Sequence, residues 1–391
     1  MIDVLIFPNN LGIAHPMRSY LVCKELENRG YSTKIAYSGP YADFIKGVIR
    51  IDGIAKDYDE SDYNGVMKHI HENPSQFPFG NPNKMRNIAE EEIELIKKTN
   101  PSVVIGDTRT SLLISSQATS TPYISITNAN MTPYFCDFSD ISKTIKCNLR
   151  ENIEFYNTLL KVFGSDNSVN NFYEILVGDM NLVADIPGFS ELLSPPEIVK
   201  YVGPILWSSD KTPEWMDEIK QKRGEGKKIA YVTMGGTGHA ELYNKIINGL
   251  KLAGYGVVVS TGRSRCALAD VKSDVYVTDF ISEEIFDVCD VAVCHGGNST
   301  IYLSLKHGVP ILGIPTNPDQ THNVDQAVRL KVGVGQNGSK LRPEDIAKSL
   351  EFVSANGYRE RAAEFSKKLQ TRGEITAANE IEVFGNARCG W

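Results

Sequence analysis

The amino-acid sequence predicts an α/β protein made of two doubly wound, Rossmann-like domains that face each other across a cleft. Three observations lead to this prediction. Short runs of β-branched residues alternate with longer amphipathic stretches, which is typical of parallel sheets with helical connections. The same alternation of predicted strands and helices appears in both halves of the chain, on either side of a segment with several prolines. The length of 391 residues is sufficient for two domains with separate cores.

Four short apolar runs are the predicted strands of the first half. They are Val4–Phe7, Thr33–Tyr37, Val103–Ile105 and Tyr123–Ile126. A helical pattern follows the first run and is expected to end at Arg29-Gly30, where a basic residue precedes a glycine. Residues 57–90 and 131–175 are rich in aromatic and polar residues and predict irregular or partly helical surface segments.

Five further apolar runs follow Pro204 in the second half. They are Ile229–Thr233, Gly256–Ser260, Val275–Thr278, Val291–Cys294 and, as the last, Ile311–Ile314. A helical pattern then continues from Pro343 to about Phe384. We predict an N-terminal domain over residues 1–200, a linker over 201–217 and a C-terminal domain over 218–391. The last helix is a candidate to pack back on the N-terminal domain.

Composition and charge argue against several classes of protein. A formal net charge of −7 does not suit a general binder of nucleic acid, because such proteins carry positive charge to meet the phosphates. The sequence has no apolar run long enough for a transmembrane helix and no signal peptide. The seven cysteines are scattered without a C-x-x-C pair, which argues against a zinc site or a disulfide framework. These features predict a cytoplasmic protein, and none of them argues against peripheral contact with a membrane.

A glycine-rich turn after one predicted strand is the strongest candidate for a ligand site. The segment Cys294–Thr300 follows an apolar run and opens a helix. Its two glycines allow a ligand to approach the backbone closely, and the helix N-terminus presents N–H groups and the positive end of the helix dipole. Such a turn is suited to hold a diphosphate without a metal ion. Taken alone, the same pattern also occurs in simple strand-to-helix turns.

The residues around this turn form a more specific pattern. It comprises His295-Gly296-Gly297, Thr300, Gly308-Val309-Pro310, Pro315, Asp319-Gln320, Asn323 and Gly333-Val334-Gly335. In this pattern the chain resembles the donor-binding signature of family 1 glycosyltransferases and their macrolide and glycolipid relatives, which have the GT-B fold. The similarity extends to Val232–Thr237, to Asp279–Ser282 and to the interdomain segment Tyr201–Pro204. The resemblance therefore covers most of the chain.

This resemblance implies a nucleotide-sugar donor held by the C-terminal domain. The implied donor-binding residues are Gly235, Gly236, Thr237, Phe280, Ile281, His295, Gly297, Asn298, Ser299, Thr300, Asp319 and Gln320. His295 would contact the donor phosphate. Thr300 and the backbone N–H groups of Gly297–Ser299 would hold the diphosphate, and Gly236 and Thr237 would touch it from the other glycine-rich loop.

The base and the sugar of the donor have their own implied contacts. Phe280 would stack on the base and Ile281 would meet the base edge through its backbone. Asp319 and Gln320 would bind hydroxyls of the transferred sugar, because adjacent hydroxyls both donate and accept hydrogen bonds. The chain departs from the family at Leu303, where members often carry a glutamate that binds the ribose. This departure leaves UDP and dTDP open as the donor nucleotide.

A second set of candidate residues follows the first predicted strand. Gly12 and His15 lie in the turn and the helix start, and Arg18 follows one helical turn later. Alignment with the family at the helix end places His15 on the catalytic base, a role that suits an imidazole because it titrates near operating pH. Asp107, at the end of another predicted strand, is the candidate carboxylate that orients it.

Each candidate also has a simpler interpretation. A histidine after a strand is often a capping or surface residue, and Asp107 could be the N-cap of the next helix. The pair His69 and His71 has the residue type of a metal site, but a spacing of two places the side chains on different helix faces. These histidines are interpreted as surface or acceptor-loop residues.

The sequence thus predicts an inverting glycosyltransferase that moves a sugar from an NDP-sugar, UDP or dTDP, to a hydroxyl of a small-molecule acceptor. No metal ion or other cofactor is implied. A sugar-nucleotide hydrolase or 2-epimerase on the same scaffold is an alternative, and a non-catalytic nucleotide-sugar-binding partner protein is another. The acceptor would be bound by N-terminal loops over about 57–90 and 128–175, whose aromatic side chains are equally suited to form a loop core.

Overall fold

The computed structural model describes residues 3–9, 12–39, 41–45, 82–135, 153–235, 240–262 and 274–391. Contacts divide the chain into two units: one contains Met1–Trp207 and Arg372–Trp391, and the other contains Ser208–Thr371. The chain leaves the first unit within the segment 201–217 and returns to it for its last residues. The predicted fold class is confirmed, because each unit is an α/β domain built on a parallel sheet.

Six strands in the described part of each unit form its sheet. In the first unit they are β1 (Val4–Pro8), β2 (Thr33–Ile35), β3 (Val103–Asp107), β4 (Tyr123–Thr127), β5 (Met180–Val183) and β6 (Val199–Tyr201). In the second they are β7 (Ile229–Thr233), β8 (Gly256–Ser260), β9 (Val275–Thr278), β10 (Val291–Cys294), β11 (Ile311–Gly313) and β12 (Gly333–Gly335). The strand orders are β2-β1-β3-β4-β5-β6 and β12-β11-β10-β7-β8-β9.

Helices connect the strands, as expected for parallel sheets. Those before the second unit are α1 (Ala14–Asn28), α2 (Pro82–Thr99), α3 (Leu112–Thr119) and α4 (helical residues 153–162). The later ones are α5 (Met216–Gly224), α6 (Ala240–Leu252), α7 (Ile285–Val288), α8 (Asn298–Lys306), α9 (Pro318–Arg329), α10 (Pro343–Ala355), α11 (Tyr358–Ser366) and α12 (Gly373–Arg388). No helix in the described ranges combines the length and the apolar character that crossing a membrane requires.

Several strand predictions need correction. The prediction that Ile311–Ile314 is the last strand is wrong, because β12 pairs with β11 beyond it. β12 is hard to detect because two of its three residues are glycine, which has low strand propensity. β5 and β6 are also missing from the prediction. β6 has only three residues, and β5 contains Asn181, whose side chain bonds the backbone of Gly178 as a turn residue would.

The two weakly patterned segments are only partly described. Residues 57–81 lie outside the described ranges, and residues 82–90 begin α2. Residues 136–152 lie outside them as well, and residues 153–162 form α4.

The strand order reverses at one place in each sheet. In the first sheet this switch point lies between β1 and β3, and the register pairs Pro8 with Asp107. In the second it lies between β7 and β10, where Thr233 pairs with Cys294. Parallel strands that end level with each other leave a crevice at such a point, and this crevice is the usual ligand site of a doubly wound sheet.

Apolar side chains hold helices against the second sheet. Val257 and Val259 of β8 are fully buried together with Ile246 of α6 and Ile346 of α10. Burial of each such side chain contributes roughly 1.5–3 kcal/mol relative to exposure. This packing keeps the sheet rigid behind its carboxyl edge.

The two chain segments of the first unit meet where the first one ends and α12 of the second one begins. A Cβ atom on Gly373 would lie 2.5 Å from the carbonyl oxygen of Pro204 and 2.6 Å from that of Gly203. Farther along α12, Asn379 accepts a hydrogen bond of 2.8 Å from the Arg29 guanidinium at the end of α1. The returning helix is therefore fixed at its start by backbone contact and along its length by polar contacts.

We expect Gly373→Ala to lower stability, since the new methyl group meets backbone oxygens that have no free rotation. Overpacking of this kind costs about 1–3 kcal/mol. Gly224→Ala is the matched control, because a Cβ atom there meets no described atom within 4 Å and the residue lies in a helix. Thermal unfolding should show a lower Tm for Gly373→Ala and an equal or higher Tm for Gly224→Ala. Equal Tm values for Gly373→Ala and wild type would contradict the close contact.

Candidate active site

His15 and Asp107 lie side by side although 92 positions separate them in the sequence. His15 is in the first turn of α1, directly after β1, and Asp107 ends the neighbouring strand β3. His15 Nδ1 and Asp107 Oδ1 are 2.8 Å apart. The Asp107 side chain is fully buried, whereas 22% of the His15 side chain is exposed. The pair thus joins a shielded carboxylate to an imidazole that a substrate can reach.

The carboxylate determines which ring nitrogen of His15 is basic. A carboxylate only accepts hydrogen bonds, so Nδ1 carries the ring proton and donates a hydrogen bond to Asp107. Nε2 is then the nitrogen with a free lone pair. The 3.5 Å approach of Arg18 Nη2 to His15 Nδ1 is a proximity rather than a hydrogen bond, because both groups are donors in this tautomer.

Arg18 shares the same carboxylate. Its Nε donates to Asp107 Oδ2 at 2.7 Å and its Nη2 donates to Oδ1, which makes a two-pronged ion pair. Its Nη1 donates to Asn128 Oδ1 at 2.8 Å. Arg18 is 6% exposed and lies against Asp107. Asn128 follows β4 and was not identified in the sequence; its position after a strand is the only signal that could have indicated it.

These contacts keep Asp107 ionised. Burial by itself would raise the pKa of Asp107, but the charge of Arg18 and the hydrogen bonds from Arg18 and His15 hold that pKa below its ordinary value. The alternative that Asp107 caps the following helix is wrong, because Ser111 occupies the N-cap position of α3. Gly12, the other candidate in this region, has a φ of +75°, which glycine adopts without strain.

The glycine-rich turn of the second unit begins at His295, where β10 ends. Gly296 has a φ of +91°, and α8 starts at Asn298 with Gly297 as its N-cap residue. Glycine has no side chain to cap the helix, so Gly297 offers no side-chain acceptor to the N–H groups of the first turn. Ser299 and Thr300 are half-buried in this turn. The arrangement suits an anionic ligand at the helix N-terminus.

The His295 ring lies between two glycines. A Cβ atom on Gly235 would be 2.8 Å from Cε1 of the ring, and one on Gly297 would be 2.7 Å from Nε2. These glycines therefore make room for the imidazole, in addition to the close ligand approach expected from the sequence. Gly236 and Thr237, which were predicted beside Gly235, lie outside the described residues.

His295 as a residue is half-buried, but the groups packed around its ring lower its pKa to about 4 by desolvation, although the Thr233 backbone and the charge of Asp319 act in the opposite direction. The imidazole is therefore neutral at pH 7. Its Nδ1 is buried, and no hydrogen-bond partner for it occurs among the described residues. A neutral ring with an unused nitrogen can donate to, or accept from, a ligand group without adding charge.

Side chains of α9 hold this turn and the loop that follows β11. Asn323, which is 2% exposed, donates from Nδ2 to the carbonyl of Gly296 at 3.0 Å. Gln320 Oε1 accepts from Thr316 N at 2.9 Å and from Thr316 Oγ1 at 2.8 Å. The amide nitrogen of Gln320 takes no part in these two hydrogen bonds, and Asp319 beside it is half-buried.

The predicted base-binding segment is held by Asp279. Its Oδ1 accepts from the backbone N–H of Phe280 at 2.8 Å and from Lys211 Nζ. Phe280 is half-buried, Ile281 is buried, and Leu303 on α8 is 8% exposed. Within the described ranges, no group of three or more His, Cys, Asp and Glu side chains is arranged to hold a metal ion.

A family model and two mycobacterial proteins are similar to this chain. Residues 251–377 match the family model of the C-terminal domain of erythromycin biosynthesis protein CIII-like proteins. A PGL/p-HBAD biosynthesis rhamnosyltransferase of Mycobacterium bovis is 28% identical over 392 aligned positions, covering 92% of this chain and 82% of that protein. A PGL/p-HBAD biosynthesis glycosyltransferase of Mycobacterium tuberculosis is 28% identical over 73% of this chain and 70% of its own length.

Solved structures show the same fold. The calicheamicin glycosyltransferase CalG4 superposes with a TM-score of 0.74 at 17% identity, over 99% of both chains. The glycosyltransferase VinC in complex with dTDP has a TM-score of 0.69 at 15% identity, over 99% of this chain and 100% of VinC.

The fold and these similarities define the class: the chain is a glycosyltransferase with the GT-B fold. The resemblance to family 1 and macrolide glycosyltransferases that the sequence indicates is confirmed.

The neutral state of His295 predicts how stability depends on pH. Because the folded-state pKa is depressed from 6.5 to about 4, the unfolded chain binds more protons between these values. The contribution to stability is complete above pH 6.5 and is lost as the pH falls toward 4, by at most about 3 kcal/mol. When urea midpoints are compared from pH 7 to pH 4, we expect the midpoint of His295→Asn to fall less steeply with decreasing pH than that of the wild type. Parallel curves for the two proteins would show that His295 is not buried in neutral form.

Proposed function

We propose that the enzyme transfers a sugar from a nucleoside-diphosphate sugar to a hydroxyl of a small-molecule acceptor, with inversion at the anomeric carbon and without a metal ion. The observation that carries the proposal is the His15–Asp107 pair at the switch point of the first sheet. It supplies a general base where a doubly wound sheet binds ligands. The glycine-rich turn at the second switch point supplies a complementary anion site.

His15 Nε2 removes the proton from the acceptor hydroxyl. The oxygen attacks the anomeric carbon as the bond from that carbon to the phosphate oxygen breaks, and the nucleoside diphosphate leaves with the electron pair. Asp107 stabilises the imidazolium that forms, as in other carboxylate–histidine pairs. Because Arg18 already balances part of the Asp107 charge, the carboxylate stays ionised and in place throughout.

The leaving diphosphate is held by the N-terminus of α8. Its negative charge increases as the bond breaks, so fixed N–H dipoles and hydroxyls stabilise the transition state more than the ground state. Asn298, Ser299 and Thr300 provide these groups, and the neutral His295 adds a ring nitrogen. Asp319 and the amide nitrogen of Gln320 are proposed to bind the sugar, and Phe280 and Ile281 to bind the base.

We propose dTDP rather than UDP as the donor nucleotide. At the position where family members bind ribose through a glutamate, Leu303 offers no hydrogen-bonding atom. A 2′-hydroxyl placed there would lose its water without gaining a partner, whereas a 2′-deoxyribose would lose less. The complex of VinC with dTDP, a protein of the same fold, supports this choice.

A natural product is the proposed acceptor class. The rhamnosyltransferase relative is named for PGL/p-HBAD biosynthesis, and the spinosyn rhamnosyltransferase SpnG is described in complex with its aglycone. The described aromatic residues Tyr134, Phe155, Phe163 and Tyr173 of the 128–175 segment are partly buried against apolar clusters. Three others, Phe135, Tyr156 and Phe172, are buried within those clusters. They form the core of that segment rather than an open acceptor surface.

Replacement of the base is the direct test of the mechanism. We expect His15→Ala to lower kcat by about 10²–10⁴-fold, because proton removal is lost, while the Kd for the nucleotide remains unchanged. Asp107→Asn should also lower kcat, since an amide can stabilise the wrong tautomer of His15. His307→Gln, in the second unit, is the control and should retain activity. Wild-type turnover in His15→Ala would refute the base assignment.

Product analysis in the same assay separates the enzyme classes. A glycosylated acceptor with inverted configuration supports transfer, whereas release of free sugar or of an epimer without an acceptor would favour the hydrolase or epimerase alternative.

Nucleotide preference tests the donor proposal. Thermal shift with dTDP, UDP, GDP and ADP, each with magnesium or with EDTA, should show the largest rise in Tm for dTDP, independent of magnesium. A lost hydrogen bond of about 1–3 kcal/mol corresponds to roughly 5–150-fold weaker binding of UDP. Leu303→Glu should reduce the ratio of the Kd for UDP to the Kd for dTDP. Equal binding of UDP and dTDP by the wild type would contradict the role of Leu303.

A further inference from the structure

A buried ion pair lies behind the loop that carries Asp107. Glu92 of α2 is fully buried, and Arg109, two residues after Asp107, is 5% exposed. Arg109 Nε donates to Glu92 Oε1 at 2.8 Å. The same carboxylate accepts from Ser111 Oγ at 2.6 Å and from Ser115 Oγ. One anionic side chain thus holds two side chains of the segment between β3 and α3, Arg109 and Ser111, and one in the first turn of α3, Ser115.

The backbone between this ion pair and Asp107 is in an unfavourable conformation. Thr108 has a φ of +50°, in the left-handed region that a β-branched residue rarely adopts. On its other side the segment is tied to the loop after β1. Asn9 N donates to the Asp107 carbonyl and Asn9 Nδ2 donates to the Thr108 carbonyl, each at 2.9 Å. The turn is therefore clamped from both directions.

Neither feature is what stability alone would favour. A buried ion pair is often no more stable than a well-packed apolar pair, because both ions lose their hydration. A threonine in the left-handed backbone conformation persists only where the surrounding contacts impose it, and such residues concentrate at functional sites. The coincidence of both features beside Asp107 calls for a role in the geometry of that carboxylate.

We propose that Glu92 and Arg109 are positioning residues for the His15–Asp107 pair. The inference rests on the proposed function and adds residues that act through Asp107 rather than on the substrate. By anchoring the segment after Asp107 to α2, the ion pair imposes the Thr108 conformation. That conformation directs the carboxylate toward His15 Nδ1 and Arg18. Without the anchor, the segment relaxes and the carboxylate turns away from His15.

Removal of one partner alone does not test this role, since a buried unpaired charge can prevent folding. The informative variant is the double substitution Glu92→Met and Arg109→Met, which replaces the ion pair with two apolar side chains of similar length. We expect this variant to fold with a moderately lower Tm, because the buried Ser111 hydroxyl loses its acceptor. It should still bind the donor nucleotide normally and lose about 10–100-fold in kcat, as expected for a misplaced catalytic group.

An exposed ion pair on the same helix is the matched control. Arg86 Nε and Glu90 Oε1 are 3.0 Å apart, and both side chains are about half exposed. The double substitution Arg86→Met and Glu90→Met should leave kcat unchanged.

A double-mutant cycle with Asp107→Asn distinguishes positioning from a general structural role. If Glu92 and Arg109 act through Asp107, their replacement in the Asp107→Asn background should cause less than a threefold further loss of kcat. The inference would be overturned if the kcat losses of Asp107→Asn and of the ion-pair variant multiplied when combined. A wild-type kcat in the Glu92→Met/Arg109→Met variant would overturn it as well. His15→Ala in the same assay reports on the proposed function separately: its inactivity together with an active ion-pair variant would refute only the positioning role.

Discussion

The arrangement of parallel strands is the constraint on which both candidate sites depend. Because neighbouring strands end level with each other, residues that follow β1 and β3 meet although they are far apart in the sequence. The same constraint brings the segments after β7 and β10 together around His295. Each sheet can therefore vary the residues at its carboxyl edge while its buried strands stay fixed.

The two histidines at these edges show how the surroundings select a chemical role. His15 keeps an exposed face and contacts a carboxylate that is held ionised by Arg18. His295 is enclosed between glycines, and burial keeps it neutral well below pH 7. The same side chain thus has different properties at the two edges because its neighbours differ.

Much of this architecture could be predicted from the sequence, but the supporting contacts could not. Apolar runs and the glycine-rich turn are local signals, so nine strands and the class of fold could be inferred from them, whereas the pairing of His15 with Asp107 was expected from the resemblance to the glycosyltransferase family. Asn128 is marked only by its place after a strand and Asn323 only by its place in the family pattern, and Glu92 has no local signal. Their contacts could not be predicted, because each contacts a residue that is distant in the sequence. β12 was missed because register with β11, rather than propensity, makes its glycine-rich residues a strand.

The return of the chain to the first unit has a consequence for biosynthesis. α1 emerges from the ribosome early, but α12, which packs beside it and accepts a hydrogen bond from Arg29, belongs to the last residues of the chain. The second unit is complete before those residues are made. Domains fold as units during synthesis, so the half of the protein that is translated first is the half that finishes folding last. Until α12 has been made, the surface of α1 that α12 will cover stays open to chaperones and proteases.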